Sequence, residues 1–275
     1  MKRKTPLVRI GIVGCGAIGS RMAKSIVRDL KNHCRLTGLY DIDVPKARHL
    51  SRQLRVNDVV KDSLNDLISS CTFVIEAVNA FETKNIIQKI LRAKRNILVM
   101  SVGRILNAPD IFTLAEKNRC SLLIPSGALS GLDAIKAASQ VNISRMTLTT
   151  RKPPSGFSPS DYLKSKGIDL KNIASEIVIY DGNVDRAVKL FPQNINVAAT
   201  LALAAGNKNK IRIRIITSPK FKTNSHEVEI HGDFGTIISR TDNVVCPDNA
   251  KTSYLAVLSA IRTLKQHFQL IKIGT

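Results

Sequence analysis

The stretch LVRIGIVGCGAIG, residues 7–19, constrains the fold more than any other. Its β-branched and apolar run predicts a strand over 7–13, and Gly14 to Gly19 form a GxGxxG element that opens a helix over 17–30. A strand that turns straight into a helix needs a parallel neighbour, so the stretch predicts a βαβ unit. Each glycine then has a task. Gly14 makes the tight turn, Gly16 lets a pyrophosphate approach the backbone, and Gly19 allows the helix to pack closely on the strand. The phosphates belong at the helix N-terminus, beside Ala17 and Ile18, where unpaired N–H groups and the helix dipole favour anions. Asp41 lies 22 residues after Gly19, at the end of the second strand, where its carboxylate can accept hydrogen bonds from an adenosine ribose. It repels a 2′-phosphate, so NAD is the expected cofactor, with NADP possible. A glycine turn that serves packing alone is the other reading of the sextet.

Beyond it, short β-rich runs alternate with helical stretches as far as residue 125. Further strands are predicted over 35–41, 57–60, 72–78, 96–102 and 121–125, and helices over 17–30, 80–93 and from Asn107 to Asn118. EAVNA (76–80) and SVG (101–103) end two strands, so they either line the nicotinamide half or are plain loop polar groups. After residue 131 the texture changes. RMTLTTRK, EIVIYDG, KIRIRIITS, HEVEIHG and GTIISR alternate with period two, while DAIKAASQV and INVAATLALAAG read as helices. The expected class is therefore α/β, with an N-terminal Rossmann domain and an α+β domain on a mostly antiparallel sheet. Residues 151–167, rich in Pro, Ser and Gly, predict a surface loop able to act as a mobile lid. AKTSYLAVLSAIRTLKQHF, 250–268, predicts a long closing helix.

Charge narrows the partners. The 42 Lys and Arg against 21 Asp and Glu give +21, but the cations are dispersed and no zinc spacing or RNA-binding aromatic motif accompanies them. A basic surface that attracts anionic small ligands is the expectation, and nucleic acid is not an expected partner. No metal is expected. No run of about 18 apolar residues is present, so no membrane partner is predicted. Five scattered cysteines give no disulfide framework, which points to a reducing cytoplasm.

NSHEVEIHGDFG, 224–235, holds two of the five histidines. Strand alternation puts His226 with Val228 and Ile230, and His231 with Glu227 and Glu229. His226 should point inward and His231 outward. An inward histidine is either a proton-transfer group or a satisfied core residue, and parity leaves both open.

GIVGCGAIG with YD at 40–41, PSGALSGLDAI at 125–135, FPQNINVAATLALA at 191–204, NSHEVEIHGDFG, and NAKTSYLAVLSAI at 249–261 together resemble the L-aspartate dehydrogenase family, end to end. The resemblance implies a dinucleotide-binding domain over 1–127, completed by a C-terminal helix within 245–275, and a catalytic and dimerisation domain over 128–244. It implies a homodimer that oxidises L-aspartate with NAD(P) to iminoaspartate, then oxaloacetate and ammonia, feeding NAD biosynthesis. Carried over, Ala128 and Asn196 match cofactor contacts and His226 the catalytic histidine. A turn and a helix cap remain the other readings of Ala128 and Asn196, and Asn194 suits the cap equally. Lys251, Thr252 and Ser253, at the predicted start of the last helix, are candidates for holding the substrate. A two-domain dehydrogenase of homoserine or sugar type, or a non-catalytic dinucleotide sensor that contacts nucleic acid, are the alternatives.

Overall fold

A computed structural model describes residues 6–78, 81–191, 195–246 and 249–274, the side chains of 249–251 excepted. The chain forms two compact units, Met1–Pro125 with Ala260–Leu270, and Ser126–Ser259 with Ile271–Thr275.

The first unit runs β1 (Val8–Val13), α1 (Ala17–Arg28), β2 (Cys34–Tyr40), α2 (Val44–Leu54), α3 (Leu64–Ser70), β3 (Phe73–Glu76), α4 (Thr83–Arg92), β4 (Asn96–Val99), α5 (Pro109–Lys117) and β5 (Leu122–Leu123). Its sheet has the order β2-β1-β3-β4-β5, and every pair is parallel. Such a sheet is covered on both faces, which is why Ile10, Ile12, Phe73, Ile75 and Leu98 are all fully buried. Met22 and Ile26 of α1 close one side of this core, and Ala260 and Leu264 from the far end of the chain join the same cluster. Helix starts follow local chemistry. Ser63 Oγ caps α3 by accepting from the Asp66 N–H, and α5 begins at Pro109, which needs no N–H partner there.

Four expected strands are shorter or absent, those over 72–78 and 121–125 contracting to Phe73–Glu76 and Leu122–Leu123. Residues 57–60 make only an isolated bridge, Leu39 to Val60; Val59 is buried for packing, and that burial mimics a strand pattern. The strand expected over 96–102 ends at Val99, and Val102–Arg104 form a single 3-10 turn.

The second unit comprises α6 (Leu132–Ala138), β6 (Ile143–Lys152), α7 (Asp161–Ser165), β7 (Ile177–Asn183), α8 (Val184–Leu190), α9 (Asn196–Ala205), β8 (Ile211–Thr217), β9 (Asn224–Gly232), β10 (Gly235–Asn243), β11 (Val245–Cys246), β12 (Asn249–Ser253) and the start of α10 (Tyr254–His267), whose residues from Ala260 onward belong to the first unit. Its main sheet has the order β10-β9-β6-β8-β7. The β6–β8 pair is parallel and the other three are antiparallel. One face is apolar, with Met146, Leu148, Ile213, Ile215, Val228 and Ile230 buried on it. Residues 151–167 are not a simple lid: they contain a 3-10 turn and α7, and they bury Lys152, Phe157 and Leu163. The last helix starts at Tyr254 rather than Ala250, because Asn249–Ser253 pair with β11 as a strand.

Candidate active site

In the first unit the glycine turn is shaped by contacts that only glycine permits. Gly14 has φ +94°, and a Cβ there would stand 2.6 Å from the Ala77 carbonyl oxygen. A Cβ on Gly19 would come within 1.8 Å of the Gly14 carbonyl oxygen. Gly16 is different. It is exposed, and a Cβ there would meet nothing within 4 Å. Gly16 is also the N-cap of α1, which has no side-chain cap bond and no acidic residue in its first turn. The N–H groups beside half-buried Ala17 and Ile18 therefore open onto free space suited to an anion, so the turn fits a dinucleotide pyrophosphate.

Asp41 is drawn into the same turn. Its Oδ2 accepts from the Cys15 N–H at 2.7 Å and its Oδ1 from the Asp43 N–H at 2.9 Å. The carboxylate is thus fixed against the glycine loop with lone pairs to spare for a hydroxyl ligand. The Cys15 thiol is pushed up to about 12 by burial and, less, by Asp41, which makes it inert as a nucleophile.

Beneath this turn lies a buried carboxylate. Glu76, fully buried at the end of β3, accepts from Val78 N–H (2.8 Å) and Ser101 Oγ–H (2.8 Å) at Oε1, and from Ser101 N–H (3.1 Å) and Met100 N–H (3.2 Å) at Oε2. Burial raises its pKa to about 7 even against those four donors. Glu76 therefore works under the site, tying together the segments that leave β3 and β4. Asn79, its sequence companion, lies outside the described residues.

In the second unit the apolar sheet face becomes polar at one end. His226 pairs with Thr150 on β6 and with Thr241 on β10. It is 3% exposed, and its Nδ1 lies 3.1 Å from Thr150 Oγ1. Burial, and then the neighbouring Lys152 charge, push the imidazole down to about 3, so it is neutral at any ordinary pH. Lys152 is itself buried and lowered to about 8 by that burial. Thr241 donates to the Ala128 carbonyl at 2.8 Å, and Asn243 Nδ2 donates to the same oxygen at 3.3 Å. Ala128 thus joins the histidine end of the sheet, held between Gly127 (φ +66°) and Gly131 (φ +73°). His231 is on the opposite face, with Nε2 2.6 Å from Glu229 Oε1 and Nδ1 3.1 Å from Thr236 Oγ1.

Asn196 is the first residue of α9; the N-cap is Ile195, with no side-chain cap bond, and Asn194 lies outside the described residues. Thr252 and Ser253 lie in β12, not in a helix, and among the described residues no hydrogen bond joins them to His226; the Lys251 side chain is not described. Thr150, Lys152, Thr217 and Thr241 are additions that strand register supplies and motif reading does not, whereas Glu76, read from sequence as a nicotinamide-lining or loop polar group, is a fully buried carboxylate at a strand end. Among the described residues no group of His, Cys, Asp and Glu is placed to hold a metal ion, and no helix is long and apolar enough to cross a membrane.

Comparison with known proteins agrees with this geometry. The profile of a family described as aspartate dehydrogenase, C-terminal, matches residues 133–267, and that of the homoserine dehydrogenase NAD-binding domain matches 14–125. An L-aspartate dehydrogenase of Methanosarcina barkeri is 38% identical over 98% of this chain and 100% of its own, and one from Methanococcus maripaludis is 36% identical over the same shares. The crystal structure of aspartate dehydrogenase from Thermotoga maritima superposes with a TM-score of 0.72 at 26% identity, covering 98% of this chain and 100% of the other. A homoserine dehydrogenase from Thiobacillus denitrificans, at 11% identity and a TM-score of 0.61 over 93% of this chain and 72% of its own, shares the fold. Two sheets, a glycine turn and an inward histidine thus meet full-length sequence likeness, and the chain belongs to the L-aspartate dehydrogenase family.

Proposed function

We propose that the protein oxidises L-aspartate at its α-carbon with NAD, giving iminoaspartate, which water converts to oxaloacetate and ammonia. The observation that carries this reading is the buried imidazole of His226, set on the inner face of the sheet between Thr150 and Thr241 in a chain of this family. In it, Gly14, Gly16, Ala17, Ile18, Gly19 and Asp41 hold the adenosine diphosphate half of the cofactor, and Ala128 and Asn196 contact its other half. When bound, NAD supplies a hydride acceptor. The chain supplies the rest.

His226 handles the proton. Nδ1 and Thr150 Oγ1 share a hydrogen bond at 3.1 Å, and in the tautomer that carries its proton on Nδ1 the Nε2 lone pair can take a proton from the substrate amine or from the water that attacks the imine. An imidazole held at about 3 is a weak base. Two substrate carboxylates beside it would raise its basicity, so base strength develops only when substrate is present. Thr241 and Asn243 hold the Ala128 carbonyl, which keeps the 126–131 turn seated on β10, where Ser239 also donates to the Ser130 carbonyl at 3.1 Å.

The same reading assigns residues 1–127, completed by the C-terminal helix, to dinucleotide binding, and 128–244 to catalysis and dimerisation. Exposed Val244, Leu255 and Leu258 border a groove at the end of β10 that a second copy would cover, and light scattering of the purified protein tests the dimer. Five free cysteines, four of them buried, suit a reducing cytoplasm. Iminoaspartate made there would supply NAD biosynthesis.

The test follows NADH formation with L-aspartate beside other amino acids, in wild type and His226→Ala. The variant is expected to bind NAD normally and to lose about 10² to 10⁴ in turnover, the usual share of a general acid–base group. Full activity in the variant, or no preference for aspartate, refutes the assignment.

A further inference from the structure

The polar end of the second sheet holds more than the histidine requires. Lys152 pairs with Thr217 across the parallel β6–β8 ladder, and Thr150, two residues earlier on β6, pairs with His226. Parity places Thr150, Lys152, Thr217 and His226 on one face. The two rows, Thr150 with His226 and Lys152 with Thr217, lie about 6.6 Å apart along the strand. Thr217 is fully buried, and its Oγ1 has no hydrogen-bond partner among the described residues. A buried hydroxyl left unpaired has lost its water without replacement, so a native orphan of this kind points to a ligand. Lys152 brings a cation into the same dry place, 8% exposed.

We infer that Lys152 and Thr217 form the subsite for the side-chain carboxylate of the substrate, an inference that rests on the reaction proposed at His226. An ammonium offers three donors and a hydroxyl one, which together match the acceptor sites of a carboxylate. The position also suits the chemistry. Loss of hydride from Cα leaves positive charge on the C–N unit, and a lysine cation beside that carbon would oppose it. Two residues along the strand, the cation sits at the far end of a four-carbon acid, where it binds without opposing the reaction. A monocarboxylic amino acid would leave the buried Thr217 hydroxyl without a partner and make no use of the Lys152 cation, which is how the site favours a dicarboxylate.

The test compares wild type, Lys152→Met, Thr217→Val and Thr217→Ser with L-aspartate and with L-2-aminobutyrate, which lacks the second carboxylate. Succinate binding in the presence of NADH is measured by calorimetry alongside, with NAD affinity as the check on folding. In Lys152→Met the ratio of kcat/KM for aspartate to that for aminobutyrate should fall about 100-fold, mainly through the aspartate KM, and succinate binding should disappear. Thr217→Val should lower the ratio about tenfold, and Thr217→Ser should restore it. Equal losses for both amino acids, or succinate bound as tightly by Lys152→Met as by wild type, overturn the subsite. Should wild type leave L-aspartate untouched, the reaction is refuted, and the succinate arm alone decides the subsite.

Discussion

His226 stays neutral because burial outweighs any gain from charging it, and the cation of Lys152 works in the same direction. The linkage has a definite sign. The unfolded chain takes up a proton at this residue below about pH 6.5, whereas the folded chain resists until pH nears about 3, so acid favours unfolding by about 1.4 kcal/mol per pH unit from this group alone. Denaturant midpoints measured between about pH 6 and 4 should therefore fall more steeply for wild type than for His226→Asn, and parallel curves would mean that the folded chain does protonate His226. How much of this was legible beforehand follows from parity. Alternation in HEVEIHG separates His226 from His231, and alternation in RMTLTTRK puts Lys152 on the same side as Met146 and Leu148. Register was not legible, since nothing local says that Thr150 faces His226 or that Lys152 faces Thr217. The roles proposed for Ala128 and Asn196 rest on likeness to a family, because a small residue between glycines and an asparagine at a helix start carry no chemistry specific enough to read.

At the scale of elements, the β1–α1 turn separates a packing glycine from a binding one. Adding a methyl group at Gly19 drives it into the Gly14 carbonyl, whereas one at Gly16 enters open space. Gly19→Ala should lower the melting temperature of the NAD-free protein by several degrees, an overpacking cost of about 1 to 3 kcal/mol. Gly16→Ala should leave that melt unchanged and weaken NAD binding about tenfold or more, because the methyl group occupies the space a pyrophosphate needs. Equal melts for the two variants would contradict this division. The misread elements share a physical cause. Val59 looks like a strand residue because it is buried, and residues 249–253 look helical because they adjoin a helix, yet each case is decided by a pairing partner outside the segment, Leu39 in one and the preceding β11 in the other. The residues of 151–167 read as exposed from composition, but Phe157 stacks edge-on against Phe191, which holds part of that segment down.

Across the molecule, a net charge of +21 is carried mainly at the surface, where pairs such as Arg212–Asp181 and Arg240–Asp242 neutralise a part of it. These exposed pairs contribute little to stability, and the remaining cations set the field that anionic substrate and cofactor meet on approach. Stability comes instead from the two cores. The first includes Ala260 and Leu264, and His33 stacks on Phe268 beside it. Leu264→Ala should cost about 2 to 5 kcal/mol, read as an earlier melt with NAD binding lost in step with unfolding; a loss below about 1 kcal/mol would mean the helix is peripheral to that core. The division of α10 between the units, with Ala260–Leu270 in the first, bears on how the protein is made. On the ribosome, the first unit emerges early with a gap in its core and must wait for the whole second unit to be translated before the residues that fill the gap appear. The nascent first unit is therefore the part that a chaperone would need to hold longest, although it is the first to be synthesised.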